Sequence, residues 1–572
     1  MFRAMVAAAA LALAAAPVAQ ANGRLHQAVR AGDLRRVTVL VGADPGLVHA
    51  LDYWGGTPLI EAGKWGVEDD AAARIAGFLL DNGADVEESD LLGKTALHWA
   101  AALDKPALAE LLLARGADPS RPDAVGDTAL HWAARNGSFE AAGVLLEHGA
   151  PADAENSLDE APLDLAVSVR EWPTATLLVE SGARVTVHAA AALGLMDALR
   201  DRLRESPRAV AATDPWESTP LHLAAAGGNE EAVGLMLEWG ARTRSRDAQG
   251  QTPLHLAARY ACLRCVQTLL AADARADARD LARRSPLWHA AAGGHVTVVE
   301  FLLAAGASPV LADADGRTPL HAAAAGGYSN VMEVLLANGA RPELADDYGQ
   351  TALHLAAGSG HEHCCRLLLA KGVDANDLDR RSRTPLHLAA AAGHPAVVSC
   401  LLEAGGEPSA RDDRQRTPLH AAAAAGHDEV VRVLAADGAD LEAPGCQGTP
   451  LLEAVMNGNA GAAEALLDAG SDVHARTQFG ETGLHRAAWR DDAGAIEMLV
   501  GRGADPNAPN RFGARPLHWA ARQGGLDAIR ALLAAGADPN LRDREGKIVL
   551  WQAVHRKHED AAALLREHGA HD

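Results

Sequence analysis

The chain has 572 residues, with 52 Lys or Arg against 75 Asp or Glu, a formal net charge of −23. This acidic balance argues against a general binder of nucleic acid or anionic membranes, and favours a long soluble surface. Hydrophobic residues make up 48% but aromatics only 4%, so the core is built of Ala and Leu, and six cysteines supply no disulfide framework.

Residues 1–21 read as a secretory leader. Arg3 precedes an apolar run from Ala4 to Ala16, and Ala19-Gln20-Ala21 has the form a signal peptidase accepts, with cleavage expected after Ala21. The run is short and Pro17 interrupts it, which argues against a retained spanning helix. The leader and the Ala- and Arg-rich usage point to a bacterial protein, periplasmic or secreted. Arg24 to Val41 read as two short helices with Arg30, Arg35 and Arg36 toward water, the character of an N-terminal cap.

The rest of the chain is periodic. A T-P-L-H-like tetrad opens at Thr252, Ser285, Thr318, Thr351, Thr384 and Thr417, always 33 residues apart. A fixed period of this length means stacked repeats, a solenoid that adds length without adding separate cores. Earlier repeats open at Thr57, Thr95, Thr128 and Ala161. The first of these runs 38 residues, its extra five expected around Val67 to Ala71, between two helices. Ala161 has lost the capping hydroxyl, so its helix should start less firmly.

Between Ala161 and Thr219 lie 58 residues instead of 66, and the repeat around His188 has no room for a full hairpin before it. The spacing predicts an altered stacking angle there and divides the chain into an N-terminal block, 22–185, and a longer block, 186–572. Spacing returns to 33 from Thr219, except for one deletion before Thr449. Ile548 to Asp572 replaces the tetrad with I-V-L-W and carries polar residues His555 to Asp560, as a C-terminal cap does. The count is 17 repeats, two of them caps.

One repeat, Thr318 to Gln350, shows the local logic. Thr318 is placed to cap a helix that Pro319 opens, since proline's missing N–H costs nothing at the first helical position. Leu320 points to the core, with Ala322 and Ala323 keeping that side thin. Gly326-Gly327 break the helix; Val331, Val334 and Leu335 form the apolar face of a second, which Gly339 ends. The remainder reads as a hairpin with its tip at Asp346-Asp347-Tyr348-Gly349.

With T-P-L-H-x-A-A, G-H and L-L-x-x-G-A-D as signatures, the pattern resembles the ankyrin repeat, and Gly250 to Ala258 (G-Q-T-P-L-H-L-A-A) is close to that family's consensus. The resemblance implies an α-solenoid of helix-turn-helix units with hairpin loops. It also implies that tetrad histidines tie the helix start to the adjoining hairpin, and that partners bind at hairpin tips and on the exposed side of the first helices. A non-enzymatic protein-binding scaffold follows as the expected function.

Other chemistry is weaker in the sequence. Ten of the 25 histidines, from His98 to His518, are the fourth residue of a tetrad. His361-Glu362-His363-Cys364-Cys365 resembles a ligand cluster, but consecutive helical residues point around the axis. Cys262-Leu263-Arg264-Cys265 is a C-x-x-C, at a helix start and not at a thioredoxin-like strand end. These two motifs support an alternative metal- or thiol-redox-active periplasmic protein; a second alternative is a secreted effector acting on host proteins. No nucleophile elbow, phosphate loop or H-E-x-x-H interrupts the repeats, so no enzyme, no cofactor and no metal is expected.

Candidate partner-binding residues come from columns that vary between repeats. Tyr53, Trp54, Trp216, Tyr348, Phe479 and Phe512 occupy hairpin tips, while Trp65, Tyr260 and Trp489 fall near the ends of first helices. Aromatics this scarce in exposed columns are hot-spot candidates. Arg283, Arg284, Arg317, Arg380, Arg381, Arg383, Arg414 and Arg416 line consecutive tips and suit a carboxylate-rich or phosphorylated partner, unless Asp379, Asp412 and Asp413 neutralise them. The partner is expected to be protein, with no nucleic acid and no membrane insertion after leader cleavage, and the chain is expected to be a monomer.

Overall fold

In the computed structural model, residues 19–64 and 66–571 are described. Most of the leader, residues 1–18, and Trp65 therefore lie outside the described residues. Among the described residues thirty-four α-helices pair in chain order, giving the 17 repeats read from the spacing, from Ala19–Arg30 with Leu34–Ala43 to Val549–His555 with Glu559–Glu567. The helices are too short to stand alone in water and are held by burying one face against the neighbouring pair.

In the repeat at Thr318, helices run Pro319–Gly326 and Ser329–Ala337. Gly327 sits at φ 76° and Gly339 at φ 89°, the left-handed conformation that lets glycine end a helix. The buried set differs in two positions from expectation. Leu320, Ala323 and Ala324 are buried on the first helix, and Val331, Met332 and Leu335 on the second. Ala322 and Val334 are only half-buried. Ala322 turns instead toward the exposed side of the first helix.

The hairpins are turns, not strands. Among the described residues only isolated bridges occur, such as Ala345 with Thr351. The tip of this repeat is built on one side chain: Asp346 Oδ1 accepts from the N–H groups of Tyr348 at 2.9 Å and Gln350 at 2.8 Å, while Gly349 N donates to Asp346 O at 2.9 Å. Asp52, Asp90, Asp123, Asp247, Asp313, Asp379, Asp412 and Asp543 do the same in their own tips.

Backbone bonds then join tip to tip, one per repeat. Leu91 N donates to Trp54 O, Ala124 N to Leu92 O and Ser157 N to Val125 O; the ladder resumes with Ala248 N to Trp216 O. Farther along, Asp347 N donates to Asp315 O, Arg380 N to Tyr348 O and Asp413 N to Arg381 O. The ladder resumes again with Arg511 N to Phe479 O and Arg544 N to Phe512 O. Both interruptions fall where the sequence spacing breaks.

At the first irregularity, helix Val187–Leu193 starts almost directly after the turn at Gly182, with Thr186 Oγ1 accepting from Ala189 N at 3.2 Å. In the long repeat, the insertion widens the loop and extends the second helix to Asp69–Asp81, 13 residues. Asp69 then accepts from Ala107 N and Leu108 N, capping the next repeat's second helix. Ala161 lacks a hydroxyl, yet Asp164 Oδ2 accepts from its N–H at 3.4 Å and the helix Pro162–Val169 forms.

The chain divides into two compact units, Met1–Leu281 and Ala282–Asp572. The hairpin-poor repeat around His188 lies inside the first.

Candidate protein-binding surface

Two features make the surface stiff. The first is the histidine tie. Thr318 N donates to His321 Nδ1 at 3.2 Å, and His321 Nε2 lies 3.1 Å from Gln350 O, at the end of the same repeat's hairpin. Because Nδ1 must accept, the proton is on Nε2 and the ring is neutral. The same tie recurs at His98, His131, His222, His354, His387, His420, His485 and His518. Burial pushes the pKa of each of these below the ordinary value, to about 4 at His420 and His485.

The second is a bond, in several repeats, from the second-helix start back to the preceding repeat. His361 Nε2 meets Ala325 O, His427 meets Ala391 O and His558 meets Arg522 O, at 3.1 to 3.2 Å. Asn459 Nδ2 donates to Ala424 O in the same column. The histidine ties thus hold tips to first helices in both units, and the second-helix bonds add to them in the second.

In the first unit, Tyr53 and Trp54 stand at a tip with rings edge to face, 5.2 Å apart, and Trp216 projects from a later tip. In the second unit, Tyr348, Phe479 and Phe512 do so. All six are 48% to 64% exposed. Tyr260 is engaged within the chain: Arg170 Nη1 donates to its hydroxyl at 3.2 Å. Trp489 is exposed at the end of its helix and meets Trp519.

The arginine strip divides in two. Arg317 lies 3.3 Å from Asp346, Arg383 2.7 Å from Asp379 and Arg416 3.3 Å from Asp412, so these three spend their charge on the tip aspartates. Arg380, Arg381 and Arg414 are exposed at the tips. Arg283 occupies its tip in the left-handed conformation, and Arg284 lies over the Trp288 ring at 5.2 Å. Arg317 also sits 5.9 Å from the Tyr348 ring.

Sequence reasoning missed Trp99, Trp132 and Trp519. The signal was the residue after the tetrad, the column of Ala322, which reads L-H-W three times and is half-buried at all three tryptophans. Trp99 Nε1 and Trp132 Nε1 donate to the tip residues Asp90 and Asp123. Lys94 lies between the two indoles, 4.8 Å and 3.6 Å from their centroids, and burial lowers its pKa. The first helices and the tips therefore form one continuous surface in that unit.

The metal and thiol motifs behave differently. Among the described residues no group of three or more His, Cys, Asp or Glu is placed to hold a metal ion. Cys364 and Cys365 are buried in the core, their thiols pushed up to about 11 and about 12 by burial, the opposite of reactive thiolates. Cys262 and Cys265 are joined in a disulfide, a link that the sequence reading did not include.

Helix pairs zipped along one edge by loop-to-loop bonds define a repeat solenoid. The chain belongs to the ankyrin-repeat family: a model of three consecutive ankyrin repeats matches residues 25–123, 108–189, 187–280, 275–346, 335–412, 404–477 and 484–572. Similar solved structures include the human ASB11 ankyrin repeat domain, 32% identical over 39% of this chain and 99% of that one, with a TM-score of 0.36. The ankyrin repeat domain of Bcl-3, of the IkappaB family, is 30% identical over 38% of this chain and 99% of its own, with a TM-score of 0.34. No curated protein matches the chain. Ankyrin repeats are generally protein–protein interaction modules.

Proposed function

We propose that this protein is a non-enzymatic scaffold that binds protein partners through its hairpin tips and the exposed side of its first helices, and that it acts as an exported monomer in the periplasm or outside the cell. The observation that carries the reading is the exposure of Trp54, Trp216, Tyr348, Phe479 and Phe512 in a chain so poor in aromatics. Large rings held on a stiff backbone lose little entropy on binding and supply most of an interface's energy.

The test is capture of a partner from periplasmic and culture fractions, beside a folded variant with Ala at those five aromatics. Specific capture lost in the variant supports the reading. Capture that ignores the five aromatics removes the tips from it. N-terminal sequencing of the exported form, expected to begin at Asn22, tests the location.

A further inference from the structure

The first helices Gly483–Trp489 and Pro516–Gln523 carry a groove whose charge is opposite to that of the chain. Met456, Arg486, Trp489, Arg490, Trp519 and Arg522 line it, around 660 Å³ of space. The Trp489 and Trp519 rings meet edge to face, 5.4 Å between centroids and 67° between planes, so the two indoles form an angled apolar wall of which Trp489 is the exposed part.

Three guanidinium groups surround this wall. Arg486 is tethered to Glu481 at 3.0 Å and donates to Met456 Sδ, with its Nε buried and without a partner. Arg490 donates to Met456 O at 3.2 Å, a bond that orients the guanidinium without neutralising it. The carboxylates that follow Arg490 in sequence turn to backbone groups: Asp491 Oδ1 accepts from Ala528 N and Asp492 Oδ1 from Ala495 N. Among the described residues, Glu481 is the one carboxylate in an ion pair with a guanidinium of the groove.

We propose that this groove binds an acidic peptide segment of a partner protein. A carboxylate side chain pairs with Arg490 and Arg522, and a neighbouring aromatic or aliphatic side chain packs on Trp489 and Trp519. The proposal rests on the scaffold reading and adds a ligand class to it. The charge argument is direct: two guanidiniums hold a carboxylate by charge-assisted hydrogen bonds, and the adjoining indoles take up the apolar side chain beside it.

The test titrates the full chain into a fluorescein-labelled peptide of alternating Glu and Phe, with Lys/Phe and Glu/Gly peptides as controls. Binding of the Glu/Phe peptide is expected to exceed that of both controls, and to fall ~10-fold in Arg490→Ala/Arg522→Ala and in Trp489→Ala. These side chains are exposed, so the variants should melt as the parent does. Arg490→Glu/Arg522→Glu is expected to prefer the Lys/Phe peptide. Equal binding of the Lys/Phe peptide by the parent, unchanged binding in the Arg variant, or retained Glu preference after charge reversal overturns the proposal. So does self-association of the chain that the Arg variant abolishes, which would make a second copy the occupant. If the peptide fails to bind while a partner is still captured through the tip aromatics, the groove proposal falls and the scaffold reading stands.

Discussion

Arg170 and Tyr260 are 90 residues apart in sequence, yet Arg170 Nη1 donates to the Tyr260 hydroxyl at 3.2 Å and the guanidinium lies 5.5 Å from the ring centroid. Both residues sit at the ends of first helices, Pro162–Val169 and Pro253–Arg259. The contact spans the repeat that lost its hairpin, where the tip-to-tip ladder stops at Ser157 and resumes at Trp216. Across that gap the first-helix ends are in contact.

That contact is measurable. In a double-mutant cycle with Arg170→Ala and Tyr260→Phe, the coupling energy is expected to be about 0.5–1 kcal/mol, since the pair is partly exposed. Hydrogen exchange in helix Val187–Leu193 should quicken in Arg170→Ala. Additive single effects and unchanged exchange would show that the pair does not brace the irregular repeat.

The histidine ties make stability depend on pH. Each buried imidazole must stay neutral to accept the threonine N–H, and its folded pKa is lowered from the ordinary 6.5, to about 4 at His420 and His485. Their contribution is therefore full above pH 6.5 and is lost as pH falls toward 4, because the unfolded chain takes up protons that the folded one refuses. Calorimetry should show the melting temperature falling steeply across that window. A melting temperature that is level down to pH 4 would contradict it. His354→Leu, which strands the Thr351 N–H and the Arg383 carbonyl, should cost about 1–3 kcal/mol at neutral pH.

Glu453 has the opposite sign. It follows a tetrad in which Leu452 replaces histidine, it is buried, its Oε1 has no partner, and burial pushes its pKa up to about 7. Its folded pKa lies above the unfolded value, so the stability it allows is full below about pH 4.5 and is lost as pH rises through 7. Glu453→Gln is expected to stabilise the protein at pH 8, by about 1–3 kcal/mol, and to change little at pH 4.5. Chemical denaturation at both pH values checks this; equal effects would mean that ionisation of Glu453 is not involved.

The cysteines divide by accessibility. Cys446 is the exposed free thiol, Cys364, Cys365 and Cys400 are buried, and Cys262–Cys265 is a disulfide. Maleimide labelling of the native, unreduced protein should modify one thiol. Labelling in denaturant without reductant should modify four, and after reduction all six. Six thiols without reductant would show that the pair is reduced.

Period and composition determined the architecture, because each repeat carries its own start signal, turn residues and apolar columns. Thr-Pro, the paired glycines and the tip Asp each act within a few residues, so their structural consequences are local and legible. The 17 helix pairs, the caps and the place of the missing hairpin were readable for that reason. What the tertiary structure decided depends on contacts that cross from one repeat to another. Arg317 meets Asp346 of the next tip, Arg170 reaches Tyr260, Lys94 lies between Trp99 and Trp132, and Trp519 turns its ring to Trp489. A repeat pattern places such side chains in columns. Which of them pair and which stay open to a partner is set by rotamers and stacking angles between repeats, and no single repeat encodes those.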